Sequence, residues 1–105
     1  MADTGKRIGP HQPGLAATTR YTVPAATSFF IQTIRVQNPS GATVLYTMSI
    51  GADAAATRFF AGESIPANGS IDWNGFIPMA ATEILQDFAD SATTLVVVIG
   101  GVEVT

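Results

Sequence analysis

The sequence has no cysteine and little charge. Without cysteine there is no disulfide framework, no thiolate-held zinc and no thiol nucleophile. Only 12% of the residues are charged, about half the usual ~25%. Five Lys and Arg against eight Asp and Glu leave a net charge of −3. Binding to nucleic acid needs clustered cations to neutralise phosphates, so this balance argues against that partner. Long apolar runs are missing as well. The longest, residues 95–102, is far short of the roughly 20 residues that cross a bilayer as a helix, and membrane insertion is not expected. The start, Met1-Ala2-Asp3-Thr4-Gly5-Lys6-Arg7, lacks the apolar stretch of a signal peptide.

Bases are scarce too. A serine nucleophile needs a histidine or lysine beside it. The single histidine, His11, and the single lysine, Lys6, both lie in one Pro/Gly-rich N-terminal stretch. Asp72, Asp87 and Asp90 read as solvated or turn-forming carboxylates rather than as a glycosidase pair. Asp53, Glu63, Asp87 and Asp90 lack the Asp-x-Asp-x-Asp-Gly spacing of a calcium loop. Gly100-Gly101 has neither the following helix nor the Gly-Lys pair of a phosphate loop. The expectation is a protein that is not an enzyme, with no cofactor and no metal.

What is present is apolar and extended. Hydrophobic residues make up 47% of the 105 residues, which excludes a disordered tail and fits one domain. Helix signals are poor, residues 80–89 being the best candidate. Strand signals are good, with β-branched and aromatic runs between Gly, Pro, Asn and Ser clusters. The spacing predicts an all-β chain folded as a single antiparallel β-sandwich, jelly-roll-like, of about seven or eight strands. Residues 1–18 differ. Their prolines remove ladder donors, so this stretch reads as an N-terminal arm or at most an edge strand, followed by a sandwich domain over residues 19–105. Ile8, Pro10, His11, Pro13 and Leu15 are the candidate docking residues of that arm.

Within the sandwich, residues 28–37 alternate Phe30, Gln32, Ile34 and Val36 against Phe29, Ile31, Thr33 and Arg35. Residues 43–51 alternate Val44, Tyr46, Met48 and Ile50 against Leu45, Thr47 and Ser49. Asn38-Pro39-Ser40-Gly41 has turn chemistry between them, which predicts an antiparallel hairpin. Asn68-Gly69 predicts a type I′ turn into residues 70–77. Gly100-Gly101, inside the last strand, marks a sheet bend, a bulge or a close backbone approach. Two strands carry apolar residues on both faces, which a half-buried strand should not do. Phe29 and Ile31 form the second face of one, Val96 and Val98 that of the other. Either a loop or the arm covers these faces, or other copies of the chain do. The low charge favours copies, so Phe29, Ile31, Val96 and Val98 are the candidate self-assembly surface.

Several segments, in order, resemble a known group. They are Tyr21-Thr22-Val23-Pro24-Ala25, Ile34-Arg35-Val36-Gln37-Asn38, Ser49-Ile50-Gly51-Ala52-Asp53-Ala54 and Thr57-Arg58-Phe59-Phe60. Ser64-Ile65-Pro66-Ala67-Asn68, Trp73-Asn74-Gly75-Phe76 and the ending Gly101-Val102-Glu103-Val104-Thr105 complete the set. Together they resemble small tailed-bacteriophage virion structural proteins. The resemblance covers residues 19–105 and leaves the arm outside. It implies a β-sandwich virion component, often an appended or minor tail protein, with no catalytic residues to carry across. The expected function is a tail-associated (minor tail, fibre or baseplate) structural protein forming a symmetric oligomer, a homotrimer or higher ring, in contact with other virion proteins. A capsid decoration or head-fibre protein is the alternative. A host-glycan-binding module is the third reading and would need Trp73, Tyr21 or Tyr46 exposed. The expected location is the virion, reached from the host cytoplasm without a signal peptide.

Overall fold

Eight runs rich in β-branched and aromatic residues become eight strands in the computed structural model, which describes residues 3–105. They are β1 (Asp3–His11), β2 (Thr18–Thr22), β3 (Ser28–Gln37), β4 (Val44–Ile50), β5 (Arg58–Ile65), β6 (Ser70–Met79), β7 (Ile84–Ala89) and β8 (Val96–Val104). They form two four-stranded antiparallel sheets, in the orders β1-β8-β3-β6 and β2-β7-β4-β5. The pairs β4–β5, β3–β6, β2–β7 and β1–β8 nest inside one another. The chain is thus one long hairpin with its tip between β4 and β5, rolled until β3 meets β8 and β4 meets β7. That wrapping is a jelly roll, which pairs nearly every strand while leaving only four edges.

Rolling explains why the expected hairpin between residues 28–37 and 43–51 is absent. β3 pairs with β6 and β8, whereas β4 pairs with β5 and β7 in the other sheet. Asn38 makes the crossing. Fully buried, it donates its side-chain amide to the carbonyls of Ala42 (2.7 Å) and Ile65 (3.0 Å) and accepts from the Ser40 backbone (3.0 Å). A second crossing lies against it. The Asn38 N–H donates to the Gly69 carbonyl (2.8 Å) and the Asn68 N–H to the Ser40 carbonyl (2.9 Å). Asn68 alone of its pair has a positive φ, 54°. A type I′ turn needs both residues there, so the expected turn is replaced by one closed from the Gly69 N–H to the Pro66 carbonyl (3.0 Å).

The core lies between the sheets. Phe29, Ile31, Ile34, Val36, Val97 and Ile99 line one inner face, and Val44, Tyr46, Met48, Ile65 and Leu85 the other. In β3 the inward set changes parity from odd to even. A bulge between Ile31 and Thr33, present against both β6 and β8, causes the change. Phe29 and Ile31 therefore join the core beside Ile34 and Val36, which corrects their place on an outer self-assembly face. The glycine pair opposes this bulge. A Cβ on Gly100 would lie 2.8 Å from the Thr33 hydroxyl oxygen, and one on Gly101 would run into the Phe30 carbonyl and the Phe29 ring.

The segment expected to be an arm is built into the fold. β1 pairs with β8 from Asp3↔Val104 to Ile8↔Ile99, as an edge strand. Its prolines lie at positions 10 and 13, so residues 3–9 keep their ladder donors. Ile8 and Pro13 are buried, His11 is half-buried, and Pro10 and Leu15 are exposed. The Pro13 and Gly14 carbonyls accept from the N–H groups of Thr93 (3.1 Å) and Ala89 (2.9 Å). Of the two readings of this stretch, an arm or at most an edge strand, residues 3–11 take the second.

Gly101→Ala is expected to destabilise the fold by about 1–3 kcal/mol, the usual cost of forcing atoms into a packed site. Urea melts read this as a lower midpoint at unchanged slope. Gly5→Ala, with nothing within 4 Å of the added Cβ, is expected to cost nothing; equal losses at the two positions would refute the close-approach argument.

Candidate functional site

Two places concentrate side chains that the fold alone does not require: a buried polar cluster at Asp87 and the open outer face of the β1-β8-β3-β6 sheet. The cluster begins with sequence position. β7 alternates Leu85, Asp87 and Ala89 inward, so its pattern places a carboxylate in the core at 1% exposure. Three donors reach it. His11 Nε2 lies 2.6 Å from Oδ2, Tyr46 donates its hydroxyl to Oδ2 (2.8 Å), and Arg20 donates Nε to Oδ1 (2.8 Å). Bulges aim two of them. The β2–β7 register slips between Thr19 and Tyr21, leaving Arg20 outside the ladder, and the β1–β8 register slips between Ile8 and His11.

Burial by itself would push the Asp87 carboxyl up. The hydrogen bonds from His11 and Arg20, the charge of His11 and the Tyr46 hydroxyl outweigh it and hold the carboxyl below its ordinary value. Tyr46 moves the other way, raised first by burial and then by the Asp87 charge, so it stays a donor. A second tie between the sheets joins the Tyr21 hydroxyl of β2 to the Glu103 carboxylate of β8. Burial, followed by that carboxylate, raises the Tyr21 hydroxyl as well. Lys6 lies 5.6 Å from the centre of the Tyr21 ring. His11 and Lys6 thus serve two different contacts at two heights of β1.

The remaining carboxylates are dispersed. Asp53 pairs with Arg58 through two hydrogen bonds (2.9 and 3.2 Å), which hold its carboxyl below the ordinary value. Asp90 accepts from the Leu45 N–H (2.9 Å), and Asp72 from Arg35 (2.8 Å). Among the described residues no group of three or more His, Asp or Glu is placed to hold a metal ion, and no pocket opens.

The outer face of the β1-β8-β3-β6 sheet is the second place. Register sets Val96 and Val98, half-buried, beside Gln37 and Arg35 on this face. Past the β3 bulge the same face carries Phe30, paired with Val102 on one side and Pro78 on the other. Phe76 stacks on Phe30 with ring centres 4.9 Å apart and planes at 19°, and remains 64% exposed. Of the four residues expected to form an assembly surface, this face keeps Val96 and Val98; Phe29 and Ile31 are inside. Phe30, Phe76, Pro78 and Val102 were missed because strict alternation put Phe30 on the core side. Trp73 packs edge-to-face on Phe59 (5.1 Å) and Tyr21 lies tilted on Phe29 (4.8 Å), both against the core, while Tyr46 is fully buried.

Comparisons with known proteins speak to the fold. No family model matches the chain, and no curated protein matches it. Among solved structures, a chain of the T13 IBDV viral particle superposes with a TM-score of 0.51 at 8% sequence identity. The match covers 96% of this chain and 30% of that one. At such identity the likeness is one of fold. A virus-particle chain therefore contains the same rolled sandwich.

Replacing Asp87 by Asn leaves the Arg20 charge without its partner, and a loss of about 3–5 kcal/mol is expected. Because the folded-state carboxyl is held low, its stabilisation is complete above the unfolded-chain value of about 3.9 and fades as pH falls through the lower folded-state value. Urea melts of the wild type and Asp87→Asn should therefore differ most at neutral pH and converge in strong acid. A gap of constant size would show that the stabilisation does not come from the ionised carboxylate.

Proposed function

We propose that this chain is a non-enzymatic structural component of a virus particle, and specifically a tail-associated protein of a tailed bacteriophage that works as a symmetric oligomer. The observation that carries the virion reading is the rolled eight-strand sandwich, matched over nearly its whole length by part of a virus-particle chain. The order of motifs over residues 19–105 supports the tailed-phage assignment. Sparse charge on a chain with abundant apolar residues fits a protein whose surface is covered by neighbours.

Attachment to a capsid, as a decoration or head-fibre protein, is the second reading. The source of the structural neighbour favours it, since that chain belongs to an icosahedral particle. Both readings use the same physics: a small rigid sandwich held on a lattice through repeated weak contacts. A host-glycan module has less support, because Trp73, Tyr21 and Tyr46 pack against the core and offer no open ring platform.

Immunogold labelling of purified particles separates these readings. Gold at the tail tip or along a fibre is expected. Gold spread over the head would replace the tail reading by the capsid one, and unlabelled particles that also lack the chain by mass spectrometry would overturn both.

A further inference from the structure

We infer that the outer face of the β1-β8-β3-β6 sheet is a seat for a second copy of this chain, related by a twofold axis that crosses the strands at the Phe30–Val102 row. This deepens the oligomer part of the proposed function and is tested on the isolated chain. A chain found in particles yet monomeric in solution would overturn the seat alone.

The 51–57 loop covers part of the outer face of the β2-β7-β4-β5 sheet, leaving Leu45 exposed at the other end of β4. In the covered part the Asp53 N–H donates to Gln86 (3.0 Å), the Gly51 N–H donates to the Ile84 carbonyl (2.7 Å), and Arg58 sits 5.7 Å from the Phe88 ring centre. Thr47 and Ser49, which point outward from β4, are buried, and the Thr47 hydroxyl accepts from the Gly62 N–H of β5 (3.0 Å). The four edges are blunted against strand addition. β6 carries Pro78 and a register shift, β1 carries Lys6, Arg7 and Pro10, and β2 has five residues and a bulge. β5 has register shifts against β4 and Gly62 at φ 63°. Among the described residues no loop covers the outer face of the first sheet, which carries the Phe30–Phe76 stack with Val102 and Pro78.

The charges choose the occupant. Along this face the rows run Asp3–Val104–Ser28, then Gly5–Val102–Phe30–Pro78, then Arg7–Gly100–Thr33–Asn74. The next row holds Val98, Arg35 and Asp72, the last two already paired at 2.8 Å. Two arginines and two aspartates make the face neutral on a chain of net charge −3. A partner selected by charge of one sign finds no match here. A second copy does. A twofold axis along the Phe30–Val102 row lays that row on itself and brings the row on one side against the row on the other. Asp3 of each copy then faces Arg7 of the other, and Phe30 and Val102 meet their own counterparts. The row lies close to one end of the sheet, so the two faces overlap over roughly 15 Å of each of four strands about 4.8 Å apart, on the order of 300 Å² per copy. The roughly 600 Å² buried in all is that of a weak contact rather than of a stable dimer.

Sedimentation velocity over a range of concentrations tests the seat, with circular dichroism reporting the fold. Wild type is expected to shift from monomer toward dimer as concentration rises. Phe76→Asp is expected to remain folded and monomeric throughout, whereas Leu45→Asp, on the other sheet, associates like wild type. Asp3→Arg is expected to weaken the dimer roughly fivefold, and adding Arg7→Asp to it restores the affinity. A wild type that stays monomeric at every concentration overturns the proposal, as does a Phe76→Asp variant that still dimerises. Failure of the charge swap to restore affinity overturns the twofold register.

Discussion

One buried carboxylate holds the two sheets in their relation. Removing Asp87 from water costs several kcal/mol unless the charge is met by donors in place. The donors come from three other strands, His11 on β1, Arg20 on β2 and Tyr46 on β4, and β1 belongs to the opposite sheet. Apolar packing between sheets tolerates sliding, since dispersion contacts are many and weak. A carboxylate with three fixed hydrogen bonds does not. It sets the end of the N-terminal strand against the other sheet and makes residues 3–11 a part of the domain. Tyr21 and Glu103 repeat the device from β2 to β8. Among the described residues no buried side-chain nitrogen or oxygen is left without a partner, which is what makes such polar ties stabilising.

The fold class was legible because β-branched runs, turn clusters and the poverty of helix signals all point one way. Connectivity was not. Asn38-Pro39-Ser40-Gly41 has the chemistry of a turn whether the chain folds back beside itself or crosses to another sheet. The difference lies in Asn38, whose side chain bonds the Ile65 carbonyl, 27 residues along the chain. No local pattern encodes that partner. Nested pairing has the same character, since β1 with β8 and β2 with β7 are contacts across almost the whole sequence.

The candidate surface was half legible for a narrower reason. Alternation assigns faces only while the ladder keeps its register, and one extra residue reverses every later assignment. On β8 the alternation runs unbroken through Val96, Val97 and Val98, with Val97 inward and its neighbours half-buried on the other face. In β3 the bulge at residues 31–33 sends Phe29 and Ile31 inward and Phe30 outward. A trace of it was visible in Gly100-Gly101, which reads as a close approach or a bulge without saying which neighbouring strand needs the room. The Asp87 cluster left a fainter trace. Asp87 sits at an inward position between Leu85 and Ala89, while its partners stand at positions 11, 20 and 46, two of them aimed by bulges of their own.

Assembly through a face rather than an edge follows from the same economy of charge. An edge offers unpaired N–H and C=O groups to any strand, including those of unfolded chains, and a protein displayed in many copies is most exposed to that hazard. The prolines, bulges and short strands at the four edges remove it. A face offers no backbone groups, so its specificity must come from side-chain shape and from charges in register. The stacked Phe30 and Phe76 provide the shape, and Asp3 and Arg7, four residues apart on one strand, provide opposite charges on either side of the apolar row. A contact of modest area that is neutral and matches itself is weak when single. Repeated across a symmetric particle it gains strength without any new chemistry.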